Sequence, residues 1–125
     1  MKKLLLTIIG SAFTIISANA VGLGDKLLLT AKLTGAQEVP AVVTNAQGVA
    51  SFLLNKTQDS LCVSVTVTGL SGVITGAHIH TGAVGVNGGV LTDLSTKVIG
   101  NSIQTVIYGN DLSLHLKEYL SGQLY

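Results

Sequence analysis

Hydrophobic and polar residues alternate along much of this chain with the period of a β-strand. The clearest stretch is 61–68, where Leu61, Val63, Val65 and Val67 alternate with Cys62, Ser64, Thr66 and Thr68. Because successive side chains on a strand point to opposite faces, this pattern predicts a half-buried antiparallel strand. Residues 27–33 and 48–54 are further apolar runs, the first closed by Gly35 and the second entered from the turn-like Thr44-Asn45-Ala46-Gln47. A tight Gly69-Leu70-Ser71-Gly72 connection leads to a predicted strand over 73–80, and one more strand fits within 98–108. Between them, Gly82, Gly85, Asn87, Gly88 and Gly89 mark a loop. Only near the end does the period lengthen. Leu112, Leu116, Tyr119 and Leu120 fall on one helical face, with Asn110 or Asp111 to cap it and Gly122 to end it. These elements predict an all-β, antiparallel β-sandwich with one short helix near the C-terminus, packed across an open end.

The first twenty residues follow a different rule. Lys2 and Lys3 precede an apolar stretch over 4–16, and Ala18-Asn19-Ala20 supplies the small residues of a cleavage site. This is the layout of a secretory signal peptide, and cleavage is expected after Ala20. The stretch is short for a membrane span, and Ser11 and Thr14 interrupt it. Removal leaves 105 of the 125 residues, enough for one domain with its own core. No second apolar stretch approaches spanning length, so no membrane span is expected after cleavage.

Composition narrows the functional classes. The processed chain keeps five Lys and six acids and contains no Arg. Nothing in it is basic enough to neutralise a run of phosphates, which argues against nucleic acid as a partner. A single cysteine, Cys62, excludes an intramolecular disulfide. With no basic or aromatic neighbour in sequence it reads as a small core or half-buried residue. Asn55-Lys56-Thr57 has the form of a glycosylation sequon, meaningful only in a eukaryotic secretory pathway, whereas the short Lys-Lys leader suits a bacterium.

Candidate chemistry is sparse. His78-Ile79-His80 on a strand places two imidazoles on one face, about 7 Å apart along the chain. Such a pair can share a copper or zinc ion if further ligands arrive from another strand. Alternatively both rings bond loop backbone and fix how the glycine loop folds over the strand. His115 lies beside the apolar stripe of the predicted helix and has no partner at helical spacing, which favours packing over ligation. Glu38, between Gln37 and Val39, reads as a solvated loop charge. No nucleophile elbow and no paired carboxylates stand out, so no catalytic residue and no enzymatic activity are expected.

Two blocks of residues carry a family resemblance. Leu33-Thr34-Gly35-Ala36-Gln37-Glu38-Val39-Pro40 followed by Gly48-Val49-Ala50-Ser51-Phe52 is similar to the opening of the CHRD domain. Gly69-Leu70, then Thr75-Gly76-Ala77-His78-Ile79-His80-Thr81-Gly82 and Gly85-Val86-Asn87-Gly88, resembles its central signature. The likeness spans residues 27–125 and keeps the order of the blocks. It implies a secreted, immunoglobulin-like or superoxide-dismutase-like sandwich, of the kind found in the extracellular antagonist chordin and in exported bacterial proteins. Family members continue past the equivalent of Ser121-Gly122-Gln123-Leu124-Tyr125 into a strand bearing a His-Thr pair. The resemblance therefore implies a chain truncated before its final strand, or a gap that another chain fills by strand addition, with truncation the expectation. The missing histidine is the natural third ligand for His78 and His80.

These readings lead to a secreted or periplasmic, non-enzymatic structural or interaction module whose partner is an extracellular or envelope protein. It carries no obligatory cofactor. The alternative is copper or zinc binding through His78 and His80. A dismutase-type redox enzyme would need more histidines than three and a cationic guide for a small anion, and is disfavoured.

Overall fold

The computed structural model describes residues 6–9, 14–15, 19–82 and 86–121. Among the described residues, ten strands form two antiparallel sheets. In chain order they are β1 (Leu6–Ile9), β2 (Thr14–Ile15), β3 (Asn19–Leu23), β4 (Lys26–Thr34), β5 (Gln47–Leu54), β6 (Ser60–Thr68), β7 (Gly76–His80), β8 (Val90–Asp93), β9 (Val98–Ile99) and β10 (Ser102–Tyr108). The large sheet runs β2-β4-β5-β6-β10-β9, with β3 also paired to β4, and the small sheet runs β1-β7-β8. The all-β sandwich anticipated from the alternation is the fold observed.

Alternation decides which face of each strand is buried. Leu29, Ala31 and Leu33 of β4, Ala50, Phe52 and Leu54 of β5, Leu61, Val63, Val65 and Val67 of β6, and Ile103 and Ile107 of β10 line the inner face of the large sheet. Ala77 and Ile79 face them from β7, joined by Leu94 just past β8. Gly48 leaves room for Leu33 directly across the ladder: a Cβ there would lie 2.6 Å from Leu33 Cδ1 and 2.8 Å from the Thr66 carbonyl oxygen.

Three expectations change. The strand expected over 73–80 begins at Gly76 and lies in the opposite sheet, because residues 69–75 cross between the layers, with Val73 78% exposed on the way. The expected single helix is two short ones, α1 (Asn110–Ser113) and α2 (Leu116–Ser121). The His115 amide donates to the Leu112 carbonyl, tightening the turn that separates them, and Gly109 at φ 62° provides the entry. Leu112 and Tyr119 remain the buried anchors, while Gly122 lies outside the described residues. Third, Cys62 is exposed rather than half-buried, because it occupies an outward position of β6 between buried Leu61 and Val63.

The β8 strand carries no alternation that would have announced it. Residues 1–20, expected from sequence to be a removable leader, contain β1, β2 and part of β3; β1 pairs with β7, and β2 and β3 pair with β4.

Candidate functional site

The two histidines of the H-x-H pattern stand on the outer face of the small sheet, since Ala77 and Ile79 take the inward positions of β7. Both are half-buried. Their ring centroids are 5.7 Å apart with the planes at 90°. Each ring is oriented from one side by an acceptor. His80 Nδ1 lies 3.1 Å from the Gly88 carbonyl oxygen. A carbonyl only accepts, so Nδ1 carries a proton, and in that tautomer the acceptor position of the ring is Nε2. His78 Nε2 lies 3.6 Å from Asp93 Oδ1 and 3.5 Å from Ser95 Oγ. These are orienting contacts, longer than formed hydrogen bonds, and the carboxylate favours a proton on that nitrogen. The lone pair of His78 is then at Nδ1, which is buried and has no hydrogen-bond partner among the described residues.

A second tier of bonds holds this arrangement. Ser95 N–H donates to Asp93 Oδ1 at 2.8 Å, and Ala77 N–H donates to Ser95 Oγ at 3.1 Å. The Ser95 side chain and amide hold the Asp93 carboxyl below its ordinary range, with His78 adding a smaller electrostatic pull. Beyond His80, Thr81 N–H donates to the Gly89 carbonyl, and Asn87 Nδ2 donates to the Val39 carbonyl. The glycine loop is thereby tied to the Gln37–Pro40 region, where Glu38 is half-buried.

The spacing suits a shared ion. With metal–nitrogen bonds of about 2.0–2.1 Å, two imidazoles on one ion have centroids roughly 5 Å apart at a tetrahedral angle and roughly 6 Å apart in line. Among the described residues no third His, Cys, Asp or Glu completes a metal-binding group with the pair. His115 is half-buried in the turn between α1 and α2 and belongs to a different part of the molecule.

A different feature lies on the outer face of the large sheet. The register aligns Leu28 with Leu53, Leu53 with Cys62, and Cys62 with Val106, so an apolar row crosses four strands. The neighbouring row is Thr30, Ser51, Ser64 and Gln104, with Gln104 Nε2 donating to Ser64 Oγ at 2.7 Å. A shallow groove runs along the apolar row, and Tyr108 stands beside it, 69% exposed. Only Lys26 and Lys32 charge the outward positions of β4, β5, β6 and β10. Sequence reading missed this row because it exists only across strands: its members become neighbours through the register of four strands and not through spacing within any one of them.

The family model described as the CHRD domain matches residues 29–125. No curated protein matches the chain. No solved structure matches it either. The matched span runs from within β4 to beyond β10 and includes both blocks that carry the resemblance and the paired histidines; the chain belongs to the CHRD domain family.

Proposed function

We propose that this chain is a secreted or periplasmic, non-enzymatic interaction module that docks an extracellular or envelope protein on the outer face of its large sheet. Membership of a family found generally in extracellular or secreted proteins supports this reading. The observation that carries the docking surface is the apolar row Leu28, Leu53, Cys62 and Val106 on a face with two charges. A low-charge face with an apolar centre and a rim of hydroxyls and amides has the make-up of a protein interface. The matching partner presents an apolar surface bordered by hydrogen-bonding groups.

Cys62 provides the test, because its thiol lies within the row. Photo-crosslinking from a probe attached at Cys62, in the native envelope or medium fraction, should trap one dominant partner. Leu53→Lys, at the centre of the row, should lose that adduct while keeping the far-ultraviolet spectrum of the fold. An unchanged adduct pattern in Leu53→Lys would overturn the assignment of this face.

A second reading has its own support: the buried Nδ1 of His78, without a hydrogen-bond partner among the described residues, together with a centroid spacing inside the range for two imidazoles on one ion. On that reading His78 and His80 bind copper or zinc, each ring held by an acceptor on its other nitrogen. Titration with Cu(I), Cu(II) and Zn(II) should show one equivalent bound, lost in His78→Ala and in His80→Ala and kept in His115→Ala. Equal binding by all three variants would remove the site.

A further inference from the structure

Strands that begin within the apolar leader edge both sheets. Its β1 strand lies antiparallel to β7, with Leu6 opposite Ile79, Thr7 opposite His78, Ile8 opposite Ala77 and Ile9 opposite Gly76. β2 and β3 then edge the large sheet, pairing Ile15 with Leu33 and Asn19 with Thr30 on β4. Cleavage after Ala20 would take away β1 and β2 and the first two residues of β3. The consequence for β7 follows from its hydrogen bonds. Leu94 N–H donates to the Ala77 carbonyl, Ala77 N–H donates to Ser95 Oγ, and Thr81 N–H donates to the Gly89 carbonyl. These odd-numbered positions face β8, so alternation turns the backbone groups of Gly76 and His78 toward β1. Without β1 those groups have no strand beside them, at the rim of a core containing the fully buried Ala77 and Ile79.

We propose that the processed chain uses the β7 edge as an acceptor for a β-strand from another protein. The acceptor takes an uncharged, extended, β-branched segment that runs antiparallel to β7 in the register now held by β1. The occupant's chemistry is read from the segment seated there, Leu-Thr-Ile-Ile, which carries no charge and two Ile. Alternate residues of any strand entering this register flank Ala77 and Ile79 at the core, where a charge would be buried without a partner. The main-chain groups of Gly76 and His78 provide the ladder, and the apolar flank selects the side chains. This acceptor is separate from the outer-face docking surface and rests on the reading of residues 1–20 as a removable leader.

The test uses the whole chain with a protease recognition sequence inserted between Ala20 and Val21, purified folded and then cut. The probe is a fluorescent peptide of residues 4–10 with terminal lysines for solubility. It should displace the cut leader, saturate at one peptide per chain, and slow hydrogen exchange at the amides of Gly76 and His78. The same peptide with Thr7→Pro lacks the amide placed opposite His78 and should bind at least tenfold more weakly. If loss of the leader unfolds the cut chain, the peptide should restore the fold and its Thr7→Pro form should not.

Three results would overturn the proposal. The edge amides could stay protected in a monomer that binds no peptide. The cut chain could form a dimer that protects them, making a second copy the occupant. Unfolding could resist rescue by the peptide. The leader reading is checked separately, by the intact mass of the exported protein. A mass that includes residues 1–20 removes the premise in the cell, whereas peptide binding to the cut chain reports on the edge itself.

Discussion

Tyr119 shows how one side chain fastens the helical end to the sandwich. It reaches from α2 into the core at 2% exposure, and its hydroxyl hydrogen-bonds to Thr92 Oγ1 on β8. Burial pushes its phenol up to about 12; the Thr92 bond pulls the other way, and Asp111 adds to the rise. Below pH 10 the phenol is neutral in both folded and unfolded chains. Between pH 10 and about 12 only the unfolded chain ionises, so stability falls as pH rises through that window, by on the order of 2 kcal/mol. Tyr119→Phe should cost about 1 kcal/mol at neutral pH through the lost hydrogen bond, and should flatten the alkaline fall. Urea unfolding at pH 8 and pH 11.5 checks both effects. Gly48 makes the complementary case, where a missing side chain is the requirement. The Thr66 carbonyl that a new Cβ would meet at 2.8 Å belongs to the sheet and yields little. Gly48→Ala should therefore destabilise by about 1–3 kcal/mol. Gly72→Ala, with nothing within 4 Å of the added atom, should stay within about 0.5 kcal/mol of the parent in the same melts.

At the scale of elements, what could be read in advance was whatever a strand states within its own length. The β6 strand alternates in sequence and alternates in burial, residue for residue. A serine scan along it should show the same period. Cys62→Ser should change stability by less than about 0.5 kcal/mol, and Val63→Ser should cost at least about 2 kcal/mol, as read from urea midpoints. β8 was illegible because Val90 and Asp93 are exposed and Leu91 and Thr92 half-buried, a pattern without a period. Its place comes from pairing with β7, through a ladder whose register shifts between Ile79 and His80. The same limit hid the environment of the histidines. Their shared face follows from a spacing of two, but the acceptors that orient them, Gly88 and Asp93, arrive from the loop and the next strand. The break between α1 and α2 was equally hidden: Leu112, Leu116 and Tyr119 keep one stripe whether or not the turn at His115 tightens.

For the molecule as a whole, charge contributes little. The Lys56–Asp25 ion pair is 2.9 Å long, but both side chains are 70% exposed, the setting in which such pairs contribute least. Stability rests on the two apolar inner faces instead. Raising sodium chloride from 0.05 to 0.5 M should shift the melting temperature by no more than about 2 °C. Capture of the partner at the outer face should be similarly insensitive to salt, and a steep loss of crosslinking across that range would point to a charged interface. How the strands divide between the sheets could not be read from the chain. The step from β6 to β7 looks like a hairpin turn in sequence, yet it carries the chain across the sandwich.

The turn between β5 and β6 also sets two events in competition. Asn55 Oδ1 accepts from the amides of Asp59 and Ser60, while Nδ2 donates to Thr57 Oγ1 at 2.9 Å and to Asp59 Oδ1 at 2.6 Å. Both hydrogens of that amide are engaged, and a sugar linked to Nδ2 would replace one of them. Attachment and the closed turn therefore compete for the same atom, and hairpins close within about 1–10 μs. In a eukaryotic secretory host, glycan occupancy at Asn55 should therefore rise in Asp59→Ala, which frees one hydrogen of that amide, as intact mass of the secreted chain would show. Site occupancy then reports how firmly this turn holds the Asn55 amide against attachment.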